Sequence, residues 1–143
     1  RRRVWSTGAT STAELKVAAI INWYGITDVV DLIDRSPGPS GSFTEAWLGS
    51  ANNRAEIAKQ VSPLTYVRQG LPAILTVHGE ADPIVPYAHG VRLHQALAEA
   101  GVPNELVTVP GGGHGGFTDA ESVRIHASIR EFLRTHGVMG DLK

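Results

Sequence analysis

A chain of 143 residues, 42% of them apolar, amounts to about one domain and can build a core. Thirteen Lys and Arg against fourteen Asp and Glu leave a formal net charge of −1, so there is no electrostatic case for a nucleic-acid partner, and Arg1–Arg3 are too few for a basic arm. The absence of cysteine excludes a disulfide framework, a thiol nucleophile and a thiolate metal site. No apolar run approaches the roughly 18 residues of a membrane span, and no signal peptide is visible. The compartment stays open.

The first predicted strand is the continuous apolar run Val17–Ile21. Asp28 to Pro63 then differs in texture, with short helical pieces at about 29–34, 43–48 and 54–59. The turn-rich Ser36-Pro-Gly-Pro-Ser-Gly41 separates the first two, and Asn53 with Glu56 is positioned to cap the third. This helical excursion at about 28–63 reads either as a lid or lateral wall over the strand ends, or as an ordinary crossover helix with padding. Ser62-Pro63 reads as a turn.

A second strand, Ala73–Val77, runs into His78-Gly79-Glu-Ala-Asp82-Pro83. Tyr87 to Ala100 has apolar residues at helical spacing, opened by Pro86 and closed by Gly101 and Pro103. The third strand, Leu106–Val109, ends in Pro110-Gly-Gly-Gly-His114-Gly-Gly-Phe117. Thr118 and Glu121 then fit a capping box. They open a terminal helix whose expected apolar face is Val123, Ile125, Ile129, Phe132 and Leu133, stopped by Gly137. Strand runs this short and rich in β-branched residues suit buried parallel strands. Their alternation with helices predicts an α/β fold, a mostly parallel sheet flanked by helices.

Two groups carry chemistry. Asp82 follows the end of the second strand, and His114 follows the end of the third, thirty-two positions later. A hydrolytic triad needs a base to take the nucleophile's proton and a buried carboxylate to fix the base's tautomer. His114, framed by glycines, fits the base, and Asp82, held by the next proline, fits the acid. Taken singly, Asp82 is as easily a turn or capping residue, and His114 a loop histidine. Their order and their matched strand context favour the triad. The other histidines carry less: His89 and His94 are five apart and share no helical face, and His126 and His136 are expected on the surface of the last helix. A metal cluster of His78, Asp82 and His114 is conceivable but ranks below the triad, and no metal or organic cofactor is expected. The run Gly111–Gly116 also matches GxGxxG, yet no strand follows its helix, so the dinucleotide reading fails.

The motifs HGxxD at His78–Asp82 and GGxH at Gly111–His114 resemble the α/β-hydrolase superfamily, in its branch of esterases, lipases and prolyl-oligopeptidase-like enzymes. The resemblance implies that Asp82 and His114 are the catalytic acid and base and that His78 is structural. It implies an acyl-enzyme mechanism on carboxylic esters. It also implies that the chain corresponds to the C-terminal portion of one hydrolase domain. No G-x-S-x-G elbow precedes the acid: Gly38-Pro-Ser-Gly-Ser42 ends in serine, contains proline and follows no strand, and Ser6, Ser11 and Ser62 lack a glycine frame. The nucleophile and oxyanion loop are therefore expected in an N-terminal half outside these residues, and the chain alone is expected to be inactive. Trp23 and Tyr24, after the first strand, with Ile84, Val85 and Phe117 beside the catalytic loops, are the expected substrate-binding residues; Trp47 can overhang from the excursion. Two alternatives remain at this point: a peptidase of the same fold, and a non-catalytic hydrolase-like domain that binds a partner. The apolar first strand is expected to be covered, either by the missing half or by another copy of the chain.

Overall fold

Apolar residues on both sides of a strand demand cover on both sides, and β2 (Ala73–Gly79) receives it: all seven of its residues are buried. The computed structural model describes residues 16–33, 46–48 and 53–140. The expected loop at Ser36–Gly41, the residues Gly38–Ser42, the first part of the piece at 43–48, and Arg1–Arg3, Ser6 and Ser11 lie outside the described residues.

β2 is the middle of a three-stranded parallel sheet in the order β1–β2–β3, with β1 at Ala19–Trp23 and β3 at Asn104–Val109. Ile21 pairs with Leu75 on one side, and Thr76 with Leu106 on the other. The two-residue period of the strand divides the core. Ala73, Leu75 and Val77 pack with Val107, Val109, Ile125 and Phe132 on one face, beneath the terminal helix α4 (Asp119–Thr135). Ile74 packs with Leu93, Leu97 and Val102 on the other, beneath α3 (Ala88–Glu99).

Caps match the sequence closely at three of these helix ends. Thr118 Oγ1 accepts the Glu121 amide, and the Glu121 carboxylate accepts the Thr118 amide, completing the capping box of α4. The C-termini of α3 and α4 both close through a left-handed glycine. Gly101 (φ 66°) donates to the Ala98 carbonyl and Val102 to that of Leu97; Gly137 (φ 69°) donates to Arg134 and Val138 to Leu133.

Several expectations are corrected. The first strand begins at Ala19 and continues to Trp23, leaving Val17 65% exposed. Its pairing with β2 starts with Ala19 opposite Ala73. Val123 is exposed, since it sits two residues before Ile125 and therefore on the opposite side of α4. Asn53 makes no side-chain cap for α2 (Arg54–Val61), because its backbone (φ −107°, ψ 28°) is not the extended one a cap residue needs. Pro86 lies just before α3 rather than in it, where its carbonyl accepts the His89 amide.

The crossover from β1 to β2 has a small core of its own. Val29, Leu48 and Ala58 are buried together, with Val30, Ile33 and Ile57 packed around them. It contains α1 (Val29–Ile33), a helical stretch at 46–48 and α2. Ser62 links them: its hydroxyl donates to the Ala58 carbonyl at 2.7 Å and accepts the Val29 amide at 2.8 Å. A single 3₁₀ turn, Pro63–Tyr66, then leads toward β2.

Candidate active site

The loops after β2 and β3 meet because neither has side chains where they cross. A Cβ on Gly79 would lie 2.2 Å from the Gly113 carbonyl oxygen and 2.3 Å from that of Gly112. The crossing is stitched by the Ala81 amide on the Gly112 carbonyl at 2.9 Å and the Glu80 amide on the Val109 carbonyl at 3.0 Å. The glycines that read in the sequence as freedom for the histidine also permit this close approach.

The contact delivers an acid–imidazole pair. His114 Nδ1 lies 2.8 Å from Asp82 Oδ2. Asp82 Oδ1 accepts the amides of Ile84 at 2.8 Å and Val85 at 2.9 Å, so both carboxylate oxygens are held. His78 buttresses the same turn: its Nε2 donates to the Val85 carbonyl at 2.9 Å and lies 3.4 Å from Asp82 Oδ2. Burial works to raise the pKa of Asp82. The bond from His114, the Val85 and Ile84 amides and the charge on His114 outweigh it, leaving the carboxyl below its usual range. Asp82 is thus an anion with no exposed side-chain surface, whereas the His114 side chain is 28% exposed. A carboxylate can only accept, so Nδ1 carries the shared hydrogen and Nε2 is the nitrogen left to take a proton.

Tyr24 covers the imidazole, with ring centroids 4.4 Å apart. It is the one non-glycine residue with positive φ (39°) among those described, and its amide bonds the Val77 carbonyl at 2.8 Å. Such a conformation in an aromatic residue is strained and is sustained by its surroundings.

His114 and Tyr24 open onto a cleft of about 420 Å³. Of the expected binding residues, Trp23, Tyr24, Ile84 and Val85 line it, as does Trp47. Phe117 does not: it packs against the core beneath α4 and edge-on to Tyr24, with centroids 6.2 Å apart. Gly116, with φ 67°, separates the histidine loop from Phe117. The sequence reading missed Gly25, Ile26, Val29 and Leu32, which complete the wall. Val29 and Leu32 are three apart on α1, a usable signal for a shared face, but their spacing cannot say what that face meets. Among the described residues of the excursion, Val29, Leu32 and Trp47 line the cleft.

Among the described residues no cluster of three or more His, Asp or Glu is arranged to hold a metal ion. The described serines are Ser62, Ser122 and Ser128, and none lines the cleft. His126 is exposed on α4 and packs near Trp23, with centroids 6.0 Å apart, whereas His136 is half-buried against Phe132. His89 and His94, set aside in the sequence, are both buried.

The BD-FAE family model matches residues 4–97, well over half of the chain. The chain belongs to the BD-FAE family. Esterase LipQ of Mycobacterium tuberculosis is 26% identical to this family member over 127 residues, which is 85% of the chain and 30% of LipQ. A truncated carbohydrate esterase from gut microbiota superposes with a TM-score of 0.64 at 27% identity, covering 82% of this chain and 44% of that one. Esterase Est2 of Thermogutta terrifontis, in its butyrate-bound form, does so with a TM-score of 0.69 at 25% identity, covering 89% and 46%. Puromycin hydrolase, at 24% identity and a TM-score of 0.74, adds a likeness of fold. The chain spans less than half the length of each of these proteins. Together they identify an α/β-hydrolase superfamily member whose relatives include esterases.

Proposed function

We propose that this chain supplies the acid and the base of a serine hydrolase of the carboxylesterase type. The observation that supports it is the 2.8 Å contact between a buried carboxylate and a part-exposed imidazole at the rim of an apolar cleft. In this reading His114 Nε2 takes the proton of a serine hydroxyl as that oxygen attacks the ester carbonyl. Asp82 holds the imidazole with Nδ1 protonated and stabilises the imidazolium that forms. The imidazolium returns the proton to the leaving alcohol, an acyl-enzyme remains, and His114 then activates water to release the acid. The serine and the oxyanion donors come from the N-terminal half of the fold, outside these 143 residues, and a strand of that half pairs with the edge of β1 that faces away from β2. Trp23, Ile84 and Val85 form the apolar bed for the acyl group, a role compatible with the butyrate-bound state of Est2.

The test is turnover of p-nitrophenyl butyrate by the protein that carries this chain. Changing His114 to Ala should lower kcat by about 10⁴ to 10⁶ with little loss of folding. Near-normal turnover by that variant would overturn the mechanism, and turnover by residues 1–143 alone would place a nucleophile within them. Comparing butyrate ester with the matching anilide separates an esterase from an amide-cleaving enzyme.

A further inference from the structure

A second histidine sits among hydrogen bonds that the proposed chemistry does not use. His89 lies in the first turn of α3, and its side chain is wholly buried. Its Nδ1 accepts two backbone amides, Thr27 and Asp28, each at 3.2 Å. Its Nε2 lies 3.2 Å from Asp31 Oδ2. A nitrogen that accepts two amides carries no hydrogen, so neutral His89 holds its hydrogen on Nε2 and donates it to Asp31. The Thr27 hydroxyl donates to the His89 carbonyl at 2.9 Å. One imidazole thus joins α3 to the segment that runs directly into Val29 and Leu32, two residues of the cleft lining.

We infer that His89 is the positioning residue of this wall, a latch that is closed in its neutral Nε2–H form and opens when the ring takes a second proton. A proton on Nδ1 would face the Thr27 and Asp28 amides, turning two acceptances into donor–donor contacts in a buried place. The charged groups facing His89 are Asp28 and Asp31 on the wall side and Arg92 on α3, whose guanidinium lies 3.3 Å from both carboxylates. Burial opposes the charged ring most and Arg92 opposes it next; Asp31 and Asp28 favour it, and the balance lies below the ordinary histidine pKa. The latch therefore stays shut at neutral pH and opens in acid. The bond from the Val29 amide to Ser62 does not titrate in this range, so opening is confined to the Thr27–Asp28 side of the wall.

The latch is tested without reference to turnover. Amide exchange at Thr27 and Asp28, with the tautomer of His89, is followed by NMR in the protein that carries this chain. Protection factors at these two amides should fall roughly tenfold or more as pH is lowered from about 7 through the depressed His89 range. In His89→Asn, Oδ1 replaces Nδ1 as acceptor and cannot be protonated there, so protection should stay level. A hydrogen on Nδ1 at neutral pH, level protection in the wild type, or equal pH responses in the two proteins would overturn the inference. The effect on turnover rests on the esterase reading and is read as a ratio. Effects common to all esters cancel in kcat/KM for p-nitrophenyl butyrate relative to acetate. That ratio should fall about threefold to tenfold in acid for the wild type and stay level for His89→Asn. A level ratio in the wild type while the amides open would overturn the link between latch and cleft. Absence of turnover on both esters would overturn the esterase reading and leave the latch to the exchange data.

Discussion

One histidine–aspartate pair has its imidazole in the cleft lining, the other adjoins the segment that carries Val29 and Leu32, and the two are built in opposite senses. In His114–Asp82 the carboxylate is the buried partner and the imidazole is 28% exposed. In His89–Asp31 the imidazole is buried and the carboxylate is 25% exposed. A buried anion with its oxygens satisfied by amides stays charged and fixes the ring beside it, leaving the outer nitrogen available for a proton. A buried imidazole with its lone pair satisfied by amides stays neutral and fixes the backbone beside it. The chemistry of a His–Asp pair thus follows from which member is withdrawn from water and which backbone groups it meets there.

The comparison breaks most severely at the rim. Beyond the loss expected for His114→Ala, Asp82→Asn should lower kcat on p-nitrophenyl butyrate by about 10⁴. An amide side chain can present an N–H to Nδ1 and so favour the tautomer with its hydrogen on Nε2, which cannot accept the serine proton. If kcat drops less than about tenfold, Asp82 is not holding the tautomer.

At the latch the expected effect is on stability. His89→Leu removes the acceptor of two buried amides and should cost about 2–4 kcal/mol, measured by urea denaturation. It should leave kcat for a small acetate ester within about a factor of three, because the rim pair is untouched. Loss of kcat equal to that of Asp82→Asn would erase the distinction between the pairs.

Acid separates them by pH window. The folded pKa of His89 is depressed, so the unfolded chain binds the proton first; its contribution to stability is whole above about pH 6.5 and is lost as pH falls through the lower folded value. His94, also depressed by burial although its bond to Asn104 opposes this, adds to the same step. The folded pKa of Asp82 is lowered as well, and its contribution is whole above about pH 4 and is lost below that. Thermal melts against pH should show two declines. His89→Asn should shrink the upper one to the share of His94, and Asp82→Asn should shrink the lower one; a variant that shrinks the other decline would contradict the assignment.

The smallest effect is expected away from both pairs. Thr118→Ala removes half of the capping box that anchors α4, and should cost about 1 kcal/mol in denaturant without altering either pH step.

Much of this was legible in the residues. The run at 73–77 determines a buried parallel strand and that at 106–109 a parallel strand buried at Val107 and Val109, Thr118 with Glu121 determines the start of α4, and Gly101 and Gly137 mark where α3 and α4 stop. Each is a local property, set by periodicity or by the demands of a helix end. The order of Asp82 before His114, each after a strand, pointed to one site because adjacent parallel strands end on the same edge. What joins distant segments was decided only in three dimensions. The crossing of Gly79 over Gly112 and Gly113 brings the pair to 2.8 Å, and side-chain packing turns Phe117 into the core rather than the cleft. The two amides that find His89 lie 62 and 61 positions away in the chain. No period in the sequence relates such positions; the sheet and its crossover bring them together, and burial then makes the hydrogen bonds obligatory.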